Sequence, residues 1–482
     1  MKKITSAPPL LIALLLMGAT WLVFGQVCRH EFLDYDDHKA VYENPYYHPV
    51  TAPHVLHFWR HPYFSLYMPA TYTTWAALAT IARLPQPVST TGTDTHSLDP
   101  HVFHAATLVA HILNVLLVFA MLRLLVKHDW AAAAGALLFS LHPVQVEPVA
   151  WVTEMKGLLS GFFSLLALWQ YCLFAALPRE NLKRRRAHYA LATLSFSFAL
   201  LAKPSAVVVP LLAWCLDYWN TRRLSRQSLL PLLPWLAMAV LWVLLTRSVQ
   251  PIEDKSVLTL LWARPLIAGD ALSFYLRQLV LPMHLIPHYG RTPEKVLQSA
   301  WIFLTGATPY LLMLGVWRLR RFRLTAATAI FVAALLPVLG LIPFGYQAYS
   351  TVADRYLYLA MLAPALGLAF LLARVQHKAA WSLCATLLII LGWRSAVQAS
   401  YWQNTVTLFE QELRVNPNSW VAHTALGAIA DRAGNTEQAV EQYRAALQAK
   451  PDYIEARNNL GLALANQGNR ILPICTPIWV LS

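Results

Sequence analysis

The chain is written as long apolar stretches separated by short polar ones, up to a break near residue 400 beyond which the pattern changes kind. A helix that crosses the hydrocarbon of a membrane needs about 20 mostly apolar residues. Stretches of this character run at about 8–27, 101–126, 130–145, 154–177, 187–202, 204–219, 229–246, 300–317, 325–342, 355–374 and 379–397. They predict an all-α, polytopic membrane bundle of about eleven transmembrane helices over residues 1–400. The first stretch follows Lys2 and Lys3, as a secretory signal would. It is long and no small-x-small cleavage site closes it, so an uncleaved anchor is expected.

From Asn404 onward the pattern is polar and repeats itself. Displaced by 34 residues, Leu413 falls on Leu447, Pro417 on Pro451, Ala422 on Ala456, Gly427 on Gly461 and Gly434 on Gly468. A period of about 34 residues, with small residues where paired helices cross, is the tetratricopeptide signature. Residues 401–470 therefore predict a short C-terminal α-solenoid, with one full repeat at about 419–452 between the flanking helices 404–415 and 453–466. Residues 471–482 lack the polar, Glu-rich helix due next and are expected as an atypical tail, either truncated or out of frame.

Composition supports the membrane reading. The chain is 57% hydrophobic and 13% charged, where a soluble domain is about a quarter charged. The net charge of +14 suits a nucleic-acid partner, but the basic residues lie in short runs between apolar stretches and form no patch, which argues against nucleic acid. Five cysteines at irregular spacing exclude a disulfide framework and a thiolate metal site. Alternating the spans from an inside N-terminus places Arg123 and Lys127, Lys183 to Arg186, Arg222 to Arg226, Arg318 to Arg323, and Arg374 with Lys378 all on the inner side. This is the positive-inside distribution, and it puts the repeat tail outside. Three segments are then external: the loop 28–100, the turn around 142–151, and 247–299. Within the last, 265–282 is too polar to span and is expected as an amphipathic helix at the interface.

Candidate chemistry lies where charge borders apolar helix, because such charge is costly. Asp36 and Asp37 follow the first span in a loop rich in Tyr and His; they are either a pair that accepts a proton and orients a donor, or a solvated acidic turn. His142 and Glu147 have a spacing that serves metal ligation or the capping of a helix end, so a divalent-metal requirement stays open. Lys156 opens the next apolar stretch. Lys203, between two apolar stretches, needs an anionic partner, either a lipid phosphate or an internal carboxylate. Asp354 and Arg355 open another span, as a substrate site or as a local ion pair. All of them come out on the outer side with Asp36. Carboxylates and cations on one outer face suit an anionic, lipid-linked substrate. No pair of corresponding broken helices suggests the inverted repeats of a transporter.

Several of these residues carry a family likeness. Asp36-Asp37 after the first span, His142 and Pro143 with Glu147 and Trp151, Lys203-Pro204 followed by Pro210 and Leu216 to Trp219, the run Gln347 to Leu357, and the 34-residue repeats together resemble bacterial relatives of the transmembrane, tetratricopeptide-carrying O-mannosyltransferases. These are C-type (GT-C) glycosyltransferases. The resemblance implies a polyprenyl-phosphate sugar donor and an acidic residue of the first outer loop, Asp36 or Asp37, that activates an acceptor hydroxyl. The expected reaction is inverting transfer to a hydroxyl of an exported protein or glycan, on the periplasmic side of the cytoplasmic membrane where the topology puts these residues. Lys203, Arg355 and Lys156 are the expected stabilisers of the leaving phosphate, with His142, Glu147 and Asp354 around them. The repeats would bind acceptor or protein partner. Met155 and Gly157 stand where relatives usually carry Arg and Asp. With the short tail, they make a non-catalytic, membrane-anchored scaffold the competing expectation.

The topology is tested by reporter fusions. A fusion after Arg186 is expected to report cytoplasmic and one after Gln403 external; a cytoplasmic signal after Gln403 changes the helix count by one.

Overall fold

A computed structural model describes residues 8–84, 98–223, 225–250, 259–375 and 377–466. The atypical tail 471–482 lies outside these residues. The first part of the chain forms α1 (Pro9–Phe24), α2 (Ala52–Arg60), α3 (Pro69–Ile81), α4 (Pro100–Val126), α5 (Asp129–Leu141), the short α6 (Val146–Ala150), α7 (Met155–Ala176) and α8 (Leu182–Ala202). There follow α9 (Val209–Thr221), α10 (Arg226–Leu229), α11 (Leu233–Val249), α12 (Arg264–Val280), α13 (Pro293–Gln298), α14 (Ile302–Arg318) and α15 (Phe322–Leu335). The last helices are α16 (Leu357–Ala360), α17 (Leu362–Leu372), α18 (Lys378–Ser400), α19 (Thr405–Val415), α20 (Trp420–Arg432), α21 (Thr436–Ala449) and α22 (Ile454–Asn466). Among the described residues there is no strand beyond isolated bridges.

A helix occupies each of the eleven apolar stretches. Five are long and apolar enough to cross a membrane alone: Pro9–Arg29, Pro100–Val126, Val152–Ala176, Arg226–Val249 and Lys378–Ser400. A sixth is a bent pair, Asp354–Ala360 and Leu362–Leu372, meeting at 46°. Others, such as α5, are shorter, because proline and buried charge stop them at one end of the bundle. Pro143 begins a 3-10 turn directly after α5, and Pro204 begins another directly after α8. A proline has no N–H to continue the preceding ladder, and the residue before it is pushed to extended backbone. His142 and Lys203 are both extended accordingly. These interruptions put the charged residues of three turns, 142–156, 203–208 and 353–357, within reach of one another.

The segment expected at the membrane interface forms α12, but it packs on α14 and buries ten of its residues. The two helices touch at glycines: a Cβ on Gly269 would lie 1.9 Å from the carbonyl oxygen of Gly306. From that platform the chain 281–292 runs out toward the repeats.

The repeats fold as their period predicts. Asn404 caps α19 by accepting the N–H of Thr407, and Ser419 caps α20 through the N–H of Ala422. Gly434, at φ +80°, turns the chain into α21. Gly427 meets the ring of Tyr443 where α20 and α21 cross, leaving no room for a Cβ.

Gly269→Ala forces α12 off α14 and is expected to cost about 1–3 kcal/mol, read as a lower thermal midpoint in detergent. Gly315→Ala, on the same α14 with nothing near the added methyl, is expected to leave the midpoint unchanged or raise it. Equal effects at the two positions would contradict this packing.

Candidate functional site

The centre of the site is Glu154, fully buried at the start of α7. Its Oε2 accepts from Lys203 Nζ at 2.8 Å. Its Oε1 lies 3.7 Å from Lys156 Nζ and 3.8 Å from Arg355 Nε, and receives no hydrogen bond. One carboxylate thus draws in cations from α7, from the α8–α9 junction and from the turn before α16. The choice left open for Lys203 is settled in part: it has an internal carboxylate partner. Gly157 is what lets that carboxylate sit there, since a Cβ at 157 would stand 2.5 Å from Glu154 Oε2. The ion pair fills the space that a side chain at 157 would claim.

Glu147 is buried beside it. Its Oε2 accepts the backbone N–H of Arg355 at 2.8 Å and its Oε1 accepts from Arg355 Nη1 at 2.5 Å. Asp354 and Arg355 therefore do not pair locally, as a simple helix-start ion pair would. Asp354 instead accepts the hydroxyl of Tyr289 at 2.8 and 2.9 Å. Arg355 also lies over the rings of Tyr346 (4.2 Å), Tyr356 (5.1 Å) and Trp151 (5.5 Å). His142 serves the end of α5: its Nδ1 accepts the N–H of Val144 at 3.4 Å and its Nε2 faces the carbonyl of Leu279 at 3.2 Å. With His142 capping and Glu147 salt-bridged, the two do not converge as ligands. Among the described residues no three His, Cys, Asp or Glu are grouped to hold a metal ion.

The acidic pair of the first loop divides into two different residues. Asp37 is fully buried. It accepts the N–H of Leu33 at 3.0 Å, and the N–H and hydroxyl of Thr153 at 3.0 and 2.5 Å. It ties the loop to the turn that carries Glu154. Burial pushes its carboxyl up to about 6, against the three donors that pull it down. Asp36 is half-buried, and its carboxylate makes no hydrogen bond or ion pair among the described residues. Tyr35, on its other side, stacks on Trp151 with ring centres 5.0 Å apart. Lys156 reaches the opposite partner of that stack, 5.5 Å from the Trp151 ring centre.

A narrow cleft of about 70 Å³ opens beside these cations, lined by Gly157, Ser160, Ser164, Lys203, Arg355 and Tyr358 among others. Glu147, Glu154, Lys156, Lys203, Asp354 and Arg355 are thus brought together, and Asp37 anchors Asp36 alongside them. Reasoning from the sequence missed Glu154 as the hub, and missed Thr153 and Tyr289 as partners. The signal for Glu154 was present, as a Glu two residues from a Lys at the mouth of an apolar helix; Thr153 and Tyr289 carried none.

The relatives of the chain agree with its motifs. A family model described as a TPR repeat matches residues 432–468. The protein O-mannosyl-transferase F38B6.6 of Caenorhabditis elegans is 25% identical over 75% of this chain and 53% of its own length. The human protein O-mannosyl-transferase TMTC1 is 22% identical over 93% of this chain and 56% of its own length. The chain spans about half the length of the curated relatives it matches. Among solved structures, the apo oligosaccharyltransferase of Archaeoglobus fulgidus is 14% identical with a TM-score of 0.44, covering 84% of this chain and 57% of that one. Over most of its length, then, the chain is similar to protein O-mannosyl-transferases at 22–25% identity, the likeness its motifs predicted.

Proposed function

We propose that this protein is a membrane glycosyltransferase that moves a sugar from a polyprenyl-phosphate donor to a hydroxyl of an exported protein or glycan. The observation that carries this reading is the cluster around Glu154. Lys156, Lys203 and Arg355 bring three cations to the carboxylates of Glu147 and Glu154, while Asp354 is turned onto the hydroxyl of Tyr289. A phosphate leaving group needs charge stabilisation more than protonation, and fixed cations in a site shielded from water supply it without reorganising. Lys203 and Arg355 line the cleft, so they are the groups that would meet the phosphate. Lys156, held over Trp151, stands behind them.

Asp36 is the proton acceptor in this mechanism. The acceptor oxygen attacks the anomeric carbon on the face opposite the phosphate, and its proton passes to the Asp36 carboxylate. The bond from the anomeric carbon to the phosphate oxygen breaks, and the lipid phosphate leaves with the electron pair. The sugar is inverted. Asp37, with both oxygens already occupied, holds the loop and does not take the proton. The groove between α19, α20 and α21, about 660 Å³ and lined by Glu410, Leu413, Arg414, Asn435, Gln438 and Gln442, suits an extended segment of an acceptor protein. The direct test is incubation of the purified protein with radiolabelled polyprenyl-phosphate sugars and membrane-protein acceptors. Absence of transfer from every donor, with the lipid still bound, would favour the scaffold reading that Met155 and Gly157 raise.

The two acids are expected to separate on substitution. Asp36→Asn lowers transfer by about 10²–10⁴-fold without changing the thermal midpoint. Asp37→Asn sets an amide against the N–H of Leu33 and costs about 1–3 kcal/mol of stability. Because the folded carboxyl titrates at about 6 against an ordinary 3.8, the folded state holds a proton that the unfolded chain has released between those values. Stability therefore falls as pH rises from about 4 to about 6, and the Asp37→Asn variant lacks that slope. Full activity in Asp36→Asn would remove the first-loop mechanism.

Lys203→Gln is expected to weaken donor-lipid binding by about ten- to a hundredfold, as for a lost hydrogen bond to a charged group, and to leave acceptor binding unchanged. Lys203→Arg retains part of the affinity, since phosphate accepts either cation. If Lys203 serves only Glu154, Lys203→Gln instead lowers the thermal midpoint while donor affinity stays as it was.

A further inference from the structure

The repeat array is tied to the loop that carries Asp36 by a chain of buried polar contacts. The hydroxyl of Tyr35 lies 2.7 Å from Nε2 of His288, and Nδ1 of His288 lies 3.1 Å from Oε2 of Glu412 on α19. The other oxygen of Glu412 accepts from the hydroxyl of Ser419, the cap of α20. Glu412 and His288 are both buried. A carboxylate only accepts, so Nδ1 of His288 carries the proton toward Glu412. In the neutral imidazole Nε2 then offers its lone pair, and the Tyr35 hydroxyl donates to it. Burial first, and then the neighbouring Asp36 charge, raise the Tyr35 phenol well above its usual range, so it keeps its proton. The carboxylate of Glu412 thus sets the direction of the bond from Nδ1 of His288.

Around this chain the array is seated on both outer loops. The N–H of Asp34 donates to Thr405 Oγ1 at 2.8 Å, the N–H of Glu31 donates to the carbonyl of Gln403 at 2.9 Å, and Arg432 pairs with Asp34. Tyr349 lies parallel to Trp420, and Lys295 sits 5.5 Å from the same ring centre.

We propose that the first array helix is part of the reaction centre: Glu412 is a positioning residue that, through His288, holds Tyr35 against Trp151 and so sets where Asp36 stands. The proposal rests on the reading of Asp36 as the proton acceptor. It assigns the array a role in the transfer step itself, separate from the capture of a partner in its groove. Occupation of the array by an acceptor would then act on the same chain that orients the base.

Tyr35→Phe keeps the stack on Trp151 and loses only the hydroxyl. Glu412→Ala removes the other end. In the full-length protein each is expected to lower kcat by about ten- to a hundredfold, as small misplacements of a reacting group do, with KM for the donor unchanged. Glu412→Gln keeps an oxygen for Nδ1–H and rescues most of the loss. Residues acting in series are not additive, so the double variant Tyr35→Phe with Glu412→Ala is no slower than the slower single one. Independently of activity, hydrogen exchange of amides 31–43 is expected to quicken in Glu412→Ala and not in Glu441→Gln, an exposed change on α21. If Glu412→Ala does not accumulate, His288→Gln breaks the same chain from the loop side and replaces it. Multiplying defects in the double variant, or unchanged exchange over 31–43, overturns the proposal. If Asp36→Asn proves fully active, the functional reading falls, and the exchange measurement alone decides whether array and loop are coupled.

Discussion

A buried carboxylate at the edge of an apolar bundle must be neutralised where it stands, and here Glu154 meets that requirement with three cations from three separate turns. Taking charges out of water costs several kcal/mol per ion, and their mutual attraction offsets this only in good geometry. The arrangement is therefore poor evidence for stability but good evidence for position. Lys203 comes to the carboxylate because Pro204 ends α8 there, and Arg355 comes because Glu147 takes both its guanidinium and its backbone N–H.

The same turn organises the loop outside the bundle. Thr153, next to Glu154, gives Asp37 both its N–H and its hydroxyl, and Trp151, two residues earlier, gives Tyr35 its stacking face. The acidic pair is thereby sorted by burial into one residue that is used up structurally and one whose carboxylate has no hydrogen-bond partner among the described residues. Adjacent residues of identical type acquire different chemistry because one points into the protein and the other along its surface. Gly157 belongs to this local order as well, since the space a side chain would take there is held by the Glu154–Lys203 pair.

Seen from the repeats, the architecture is more integrated than a membrane domain with an appended arm. Their first helix contributes Phe409 and Glu412 to the surroundings of Tyr35 and His288, so the outer loops have the array as one of their walls. The repeat nearest the membrane domain is the one that touches the loop.

Much of this was legible in the amino-acid order alone, for a physical reason. Hydrocarbon thickness and the 34-residue period are one-dimensional constraints, so the eleven apolar helices, the repeats from Asn404 onward and the grouping of charge near helix ends could be read without coordinates. The family motifs pointed to Asp36, Asp37, Glu147, Lys203 and Arg355 on the same basis. What could not be read is which charge answers which. Lys203 pairs with Glu154 across 49 positions, Arg355 with Glu147 across 208, and Tyr35 with His288 across 253. Spacing carries no information on such partners. They are selected by the packing of α7, α8 and the turn before α16, and by the seating of α19 on the outer loops, because burial there leaves each charge only the neighbours that the tertiary packing brings to it.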